Sequence, residues 1–369
     1  MKLYREDLKF LIYFLPLFIL KIMNITADSK ILMVMGVISV IVFCDNISNK
    51  KYSRNYFYIF SVLLFYSLVL VITNGKYAVF FSIMTLVAMK DLIEIKNVYK
   101  ICFYIGSLFL IIALLRSGSG QETTRYIDGE WQSILKRNNI LYVAYTAIIC
   151  LYILFKRDGL KIRNIFALII LSYLAYKYIG SRTGFVSLLF FLIFILLFKI
   201  KAIKNILIIK YSCILSPLIL MLVSLFTGLY YEKYRLLFFV DALFQGRIAQ
   251  NNAYLNRYDI KLLGQHIYEN MSSSNYWVLD SAYIDMLIQV GVISSILWII
   301  FNIIVIKYMY DKNRMVEVGI LLMYTVYGFN ETFLPNCFLN MSFFIFGEFI
   351  HEKTMSYKLC KYSRPCMKL

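Results

Sequence analysis

The chain has 369 residues, 61% of them apolar, and a formal net charge of +18. At a mean hydropathy of +0.70 it does not have the composition of a soluble domain. Its apolar residues run in unbroken stretches such as 185–200 and 206–226, which excludes the period-2 alternation of a membrane barrel strand. Only helices otherwise satisfy their backbone groups in lipid. The expected fold is therefore all-α: one polytopic integral membrane domain over 1–369.

A helix needs roughly 20 mostly apolar residues to cross a bilayer. On that basis the chain divides into about twelve spans, with cores at 8–23, 30–44, 56–73, 76–90, 98–115, 139–155, 164–180, 185–200, 206–227, 282–306, 315–333 and 337–350. The first run carries Pro16 and Lys21 and lacks a small-residue cleavage site, so it reads as a span rather than a cleavable signal. Alternate loops are rich in Lys and Arg: Lys50, Lys51 and Arg54; Lys90, Lys96 and Lys100; Lys156 to Arg163; Lys199 to Lys204; and Lys307 to Arg314. A basic tail follows at 351–369. Positive loops face the cytoplasm, which places both termini there. The positive charge then serves topology and attraction to anionic lipid. Scattered over many loops, it does not form the single patch that nucleic acid requires.

Two connections on the opposite, extracytoplasmic side are long, 116–138 and 228–281, and hold much of the polar chemistry. The first contains Arg116 and Arg125, suited to phosphate, with Tyr126 and Trp131, whose faces suit a sugar ring; its Gly and Ser residues predict a flexible loop. Between two apolar spans, Gly180-Ser181-Arg182-Thr183-Gly184 puts Arg182 at the outer surface, against the charge rule. An Arg there can grip a lipid phosphate bidentately or simply snorkel to headgroups. The second loop carries Arg235, Gln245-Gly246-Arg247, Arg257, His266 and Glu269, and returns to the membrane through Asp280, Tyr283 and Asp285. His266 is the external histidine and suits proton transfer near neutrality. Carboxylates inside spans are costly and mark function; Asp285 is the clearest, with Glu331 and Glu348, and Lys177 and Lys210, raising the same question more weakly.

Neither long loop contains Cys, so no disulfide framework holds them. With two His on separate segments, and no CxxC, HExxH, GxGxxG or Walker sequence, neither a zinc site nor nucleotide chemistry is indicated. No metal and no cofactor is expected.

In order and spacing over about residues 175–300, four elements resemble the Wzy-type polysaccharide polymerases and the related O-antigen ligases: Ser181-Arg182-Thr183-Gly184, Gly246-Arg247, Leu263-Gly264-Gln265-His266, and Asp280-Ser281-Ala282-Tyr283 through Gly291-Val292. Arg235 and Gly246 also fit the Arg-x10-Gly spacing described for such polymerases. Ligases often carry a His-Asn pair where this chain has Leu279-Asp280, which favours polymerase. The resemblance implies a GT-C-like membrane enzyme of the bacterial plasma membrane. Its substrates would be undecaprenyl-pyrophosphate-linked oligosaccharide repeats, and it would need neither metal nor nucleotide. It would transfer the growing glycan to a lipid-linked acceptor and release undecaprenyl pyrophosphate. Membrane lipids, a flippase and a chain-length regulator of the same pathway would be its partners. His266, Arg247 and Arg182 are the expected catalytic residues, with Glu269, Asp280 or Asp285 as other bases. Arg116, Arg125, Arg235, Arg257, Glu269, Asp280, Tyr283 and Asp285 are the expected substrate contacts. A flippase of the same lipid-linked units, a ligase-type transferase and a non-catalytic assembly protein are the rival readings.

Overall fold

The computed structural model describes residues 5–22, 54–75, 77–89, 98–105, 124–127, 130–133, 182–267, 279–337 and 339–362, with isolated positions within 34–41 and 107–173. Arg116, Glu269 and Lys177 lie outside the described residues, as do all or much of the expected spans 30–44, 139–155 and 164–180.

Among the described residues the regular structure is helical apart from one antiparallel strand pair. In chain order the elements are α1 (Arg5–Ile22), α2 (Arg54–Asn74), α3 (Tyr77–Met89), β1 (Thr124–Ile127), β2 (Glu130–Ser133) and α4 (Arg182–Phe198). After a helical turn at Lys201–Lys204 come α5 (Leu207–Leu229), α6 (Arg235–Leu243) and α7 (Arg247–Arg257). Then follow α8 (Ala282–Asp285), a π-helical stretch (Met286–Val290), α9 (Val292–Asp311), α10 (Met315–Tyr327) and α11 (Ser342–Tyr362). The strands pair from Thr124 with Ser133 to Ile127 with Glu130, where a flexible loop was expected.

α5 and α9 are both long and apolar enough to cross a membrane, at a mean hydropathy of 2.1 each. Only 28% and 39% of their apolar windows are buried, so they differ from the core helices of a soluble protein. Leu222 and Phe226 on α5, and Ile296 and Ile300 on α9, are exposed. Side chains of this kind lower their free energy by roughly 1.5–3 kcal/mol each when removed from water.

The core joins α1, α3, α4, α10 and α11. Phe14 meets Phe344 edge-on with ring centroids 5.4 Å apart. α4 packs closely on α10 because Gly319 has no side chain: a Cβ there would sit 3.1 Å from the rings of Phe191 and Phe194. At the start of α10, Arg314 pairs with Glu317 and Glu352, each at 2.8 Å, and with Glu348. This knot ties α10 to α11 at the end of α10 remote from Glu331.

Two expected spans are corrected. The run 282–306 is not one continuous helix: it breaks at Gly291, whose φ of +95 is a conformation that favours glycine. Against this break lies the segment 261–265. Val292 and Ile293 donate backbone bonds to Lys261 and Leu262, at 3.1 and 3.3 Å, and Gln265 donates to Ile288 at 2.9 Å. The contact is so close that a Cβ on Gly264 would sit 2.4 Å from the Gln289 carbonyl, and one on Gly291 would sit 2.4 Å from Leu262 O. Asn74, at the end of α2, donates to the carbonyls of Leu263 (2.7 Å) and Gln289 (3.0 Å). The run 315–333 ends as a helix at Tyr327, which leaves Glu331 in the connection to α11 rather than inside a helix.

Candidate functional site

The second long connection is itself partly helical, and that places Arg247. Tyr231 leads into α6, which turns back through Gln245 (φ 57) and Gly246 (φ 82) into α7. The first amides of a helix lack partners. Asp241 on α6 supplies them: its Oδ1 accepts from Ile248 N (2.7 Å) and Ala249 N (3.3 Å), and its Oδ2 accepts from the Tyr231 hydroxyl at 3.0 Å. A carboxylate at this end also suits the helix dipole. α7 then lies on α5, where Asn252 donates to the Gly228 carbonyl at 2.8 Å. A Cβ on Gly228 would approach Leu255 to 2.7 Å.

Arg247, the first residue of α7, points from there into a buried charge cluster. Its Nη2 lies 3.4 Å from Glu331 Oε1 and 3.5 Å from Asp280 Oδ2. Thr183, in the first turn of α4, reaches the same Glu331 oxygen at 3.5 Å. Charge-assisted bonds are normally about 2.7–2.9 Å, so these pairs hold the guanidinium loosely. Arg247 Nη1 is buried without a hydrogen-bond partner, as are Gln250 Oε1 and Asn251 Oδ1 on α7, Ser281 Oγ next in sequence to Asp280, and Asn330 Oδ1 next in sequence to Glu331. Buried polar atoms are normally satisfied, so Arg247 Nη1 keeps a donor that the described residues do not use. Burial pushes the Glu331 carboxyl up to about 7; the nearby Asp280 adds to this, and Arg247 opposes it without prevailing. Burial likewise raises Asp280, against the pull of Arg247.

Beside the cluster runs an apolar cleft of about 680 Å³ between α4, α5, α6 and α10. Val186, Leu220, Val223, Leu243, Phe244 and Phe329 line it, with Thr183, Gln245 and Asn330 as polar members. Thr183 belongs to both cleft and cluster, so the two adjoin.

Of the sequence-predicted residues, the structure brings Arg247 and Asp280 together. The backbone of Arg182 opens α4 one residue before Thr183, at the same end of that helix. Arg125 lies on β1. His266 is exposed and lies against Gly75, whose added Cβ would be 3.8 Å from its ring. Arg235 and Arg257 are exposed, the latter with its guanidinium 5.5 Å over the Tyr258 ring. Tyr283 and Asp285 are both buried. The Tyr283 hydroxyl donates to the Thr325 carbonyl at 2.8 Å, and Asp285 accepts from Gln289. Glu331 was raised only weakly from sequence; its signal was a carboxylate next to Asn330 at the close of an apolar run. Asp241 gave no sequence signal, because the amides it satisfies lie on the following helix.

The chain matches no family model, and comparison with curated proteins and with solved structures likewise yields no match.

Proposed function

We propose that the chain is a multi-span enzyme of the bacterial plasma membrane, with both termini cytoplasmic. In this reading it joins undecaprenyl-pyrophosphate-linked oligosaccharide repeats at the outer face. The observation that carries the reading is a buried, loosely held guanidinium with an unfilled Nη1, beside an apolar cleft. That pairing suits an anion attached to a long hydrocarbon. The placement of Arg314 and its basic neighbours at the opposite end of α10 supports an outer position for the Arg247 cluster.

In the reaction an acceptor sugar hydroxyl attacks the anomeric carbon of the donor glycan. The bond from that carbon to the phosphate oxygen breaks, and the diphosphate leaves with the electron pair. Arg247 stabilises the charge that develops there, as positioned cations do in phosphoryl transfer. The diphosphate replaces Glu331 and Asp280 as the partner of Arg247, and a released Glu331 accepts the hydroxyl proton. His266 is the alternative acceptor.

The test is complementation of a strain of the source bacterium that lacks this protein. Wild type restores long surface polysaccharide, and Arg247→Ala leaves single lipid-linked repeats on the outer leaflet. Single repeats retained on the inner leaflet in the deletion strain would instead identify a flippase and refute the reading.

A further inference from the structure

We infer that α6 lies in the plane of the outer leaflet, with one face sunk among the lipid acyl chains. This rests on the membrane reading above and goes beyond it, since the sequence placed these residues in an aqueous loop. Leu236, Phe239 and Leu243 recur at i, i+3 and i+7, which puts them on one helix face. They are 72%, 74% and 83% exposed. The other face is committed to protein: Leu237 and Asp241 are buried, and Asp241 fixes the start of α7.

Three features identify lipid as the cover. The apolar face continues the exposed side of α5, through Leu222, Phe226 and Leu229, and α5 is long and apolar enough to span. Between the two helices stand Tyr230 and Tyr234, with Lys233 Nζ at 5.5 and 6.0 Å from their ring centres. Tyr belts and cations collect at the headgroup level. Finally, α6 has nine residues, about 13 Å of helix. That is far too short to cross and fits an amphipathic helix lying in the interface. Ala242 and Leu243 of α6 also line the cleft beside Arg247. A submerged α6 therefore lets a lipid-anchored substrate enter the cleft sideways without leaving the membrane.

The test uses the full chain in nanodiscs of phosphatidylcholine and phosphatidylglycerol. Phe239→Trp, and separately Leu243→Trp in case the first fails to fold, report on α6; Leu222→Trp reports on α5. Lipids brominated on their acyl chains should quench the emission that each variant adds over wild type by about half or more, and acrylamide should leave it nearly unchanged. Quenching at α5 but not α6, with α6 open to acrylamide, overturns the inference and leaves the spanning reading standing. An α6 reporter shielded from both quenchers means that protein covers this face, which also overturns it. Absence of bromolipid quenching at α5 as well overturns the membrane reading itself.

Discussion

Replacing Glu331 by Gln keeps the shape of the side chain and removes its charge. The carboxyl is held at about 7 by burial against an ordinary value of 4.5, and a difference of that size corresponds to about 3 kcal/mol. Because the folded-state value lies above the unfolded one, this contribution to stability is complete below about pH 4.5 and lost as pH rises through about 7. The Gln variant has no such loss. Its stability relative to wild type should therefore improve by about 2.5 kcal/mol between about pH 5 and pH 8. Asp280 titrates in both proteins and largely cancels from the difference. The pull of Arg247 on the ionised carboxylate is already contained in the raised value. Thermal unfolding of the two proteins in one detergent across this range reads the difference. Two curves that stay parallel from pH 5 to pH 8 would refute the buried-carboxyl argument.

Arg247→Ala should weaken binding of undecaprenyl pyrophosphate and slow polymer formation by about 10²–10³-fold, the usual loss for one positioned donor; isothermal titration and gel ladders on protein shown to be folded read the two effects. Asp241→Ala removes the partners of two helix-start amides and a tyrosine hydroxyl. It should cost about 1–2 kcal/mol of stability and raise hydrogen exchange at the start of α7, with exchange confined to the chain ends counting against the capping role. Gly264→Ala forces a Cβ to within 2.4 Å of the Gln289 carbonyl at a positive φ. Strain of this kind should lower stability by more than about 3 kcal/mol, seen as a collapse of folded yield; a normally behaved Ala variant would mean that the segment 261–265 is not packed on the helix break.

Among the described residues, several helix positions were readable because long apolar runs mark both the extent and the ends of an apolar helix. The expected runs 56–73, 76–90 and 206–227 appear as Arg54–Asn74, Tyr77–Met89 and Leu207–Leu229. What was missed depends on partners distant in sequence. α6 is an apolar run too short to cross and α7 a polar one, and the placement of α7 is set by contact with α5. The strand pair had a local sign that was passed over, Asp128-Gly129, a dipeptide favoured between hairpin strands. The glycines at 264 and 291 looked like separate motif elements, yet each is glycine because of the other's backbone. At the site, Arg247 was legible through the Gly246-Arg247 element of the resemblance. Glu331 was not distinguishable from any carboxylate near a span end, because only the fold carries it to within 3.4 Å of that guanidinium. His266 drew attention by residue type, and residue type says nothing of the distance to Arg247.

The most direct measurement supplies purified protein in liposomes with lipid-linked single repeats extracted from cells of the source bacterium lacking this protein, in the presence of EDTA and without nucleotide. The account predicts a ladder of longer glycans from wild type and an unextended band from Arg247→Ala. An unextended band from folded wild-type protein, or a ladder that survives the loss of Arg247, would contradict it.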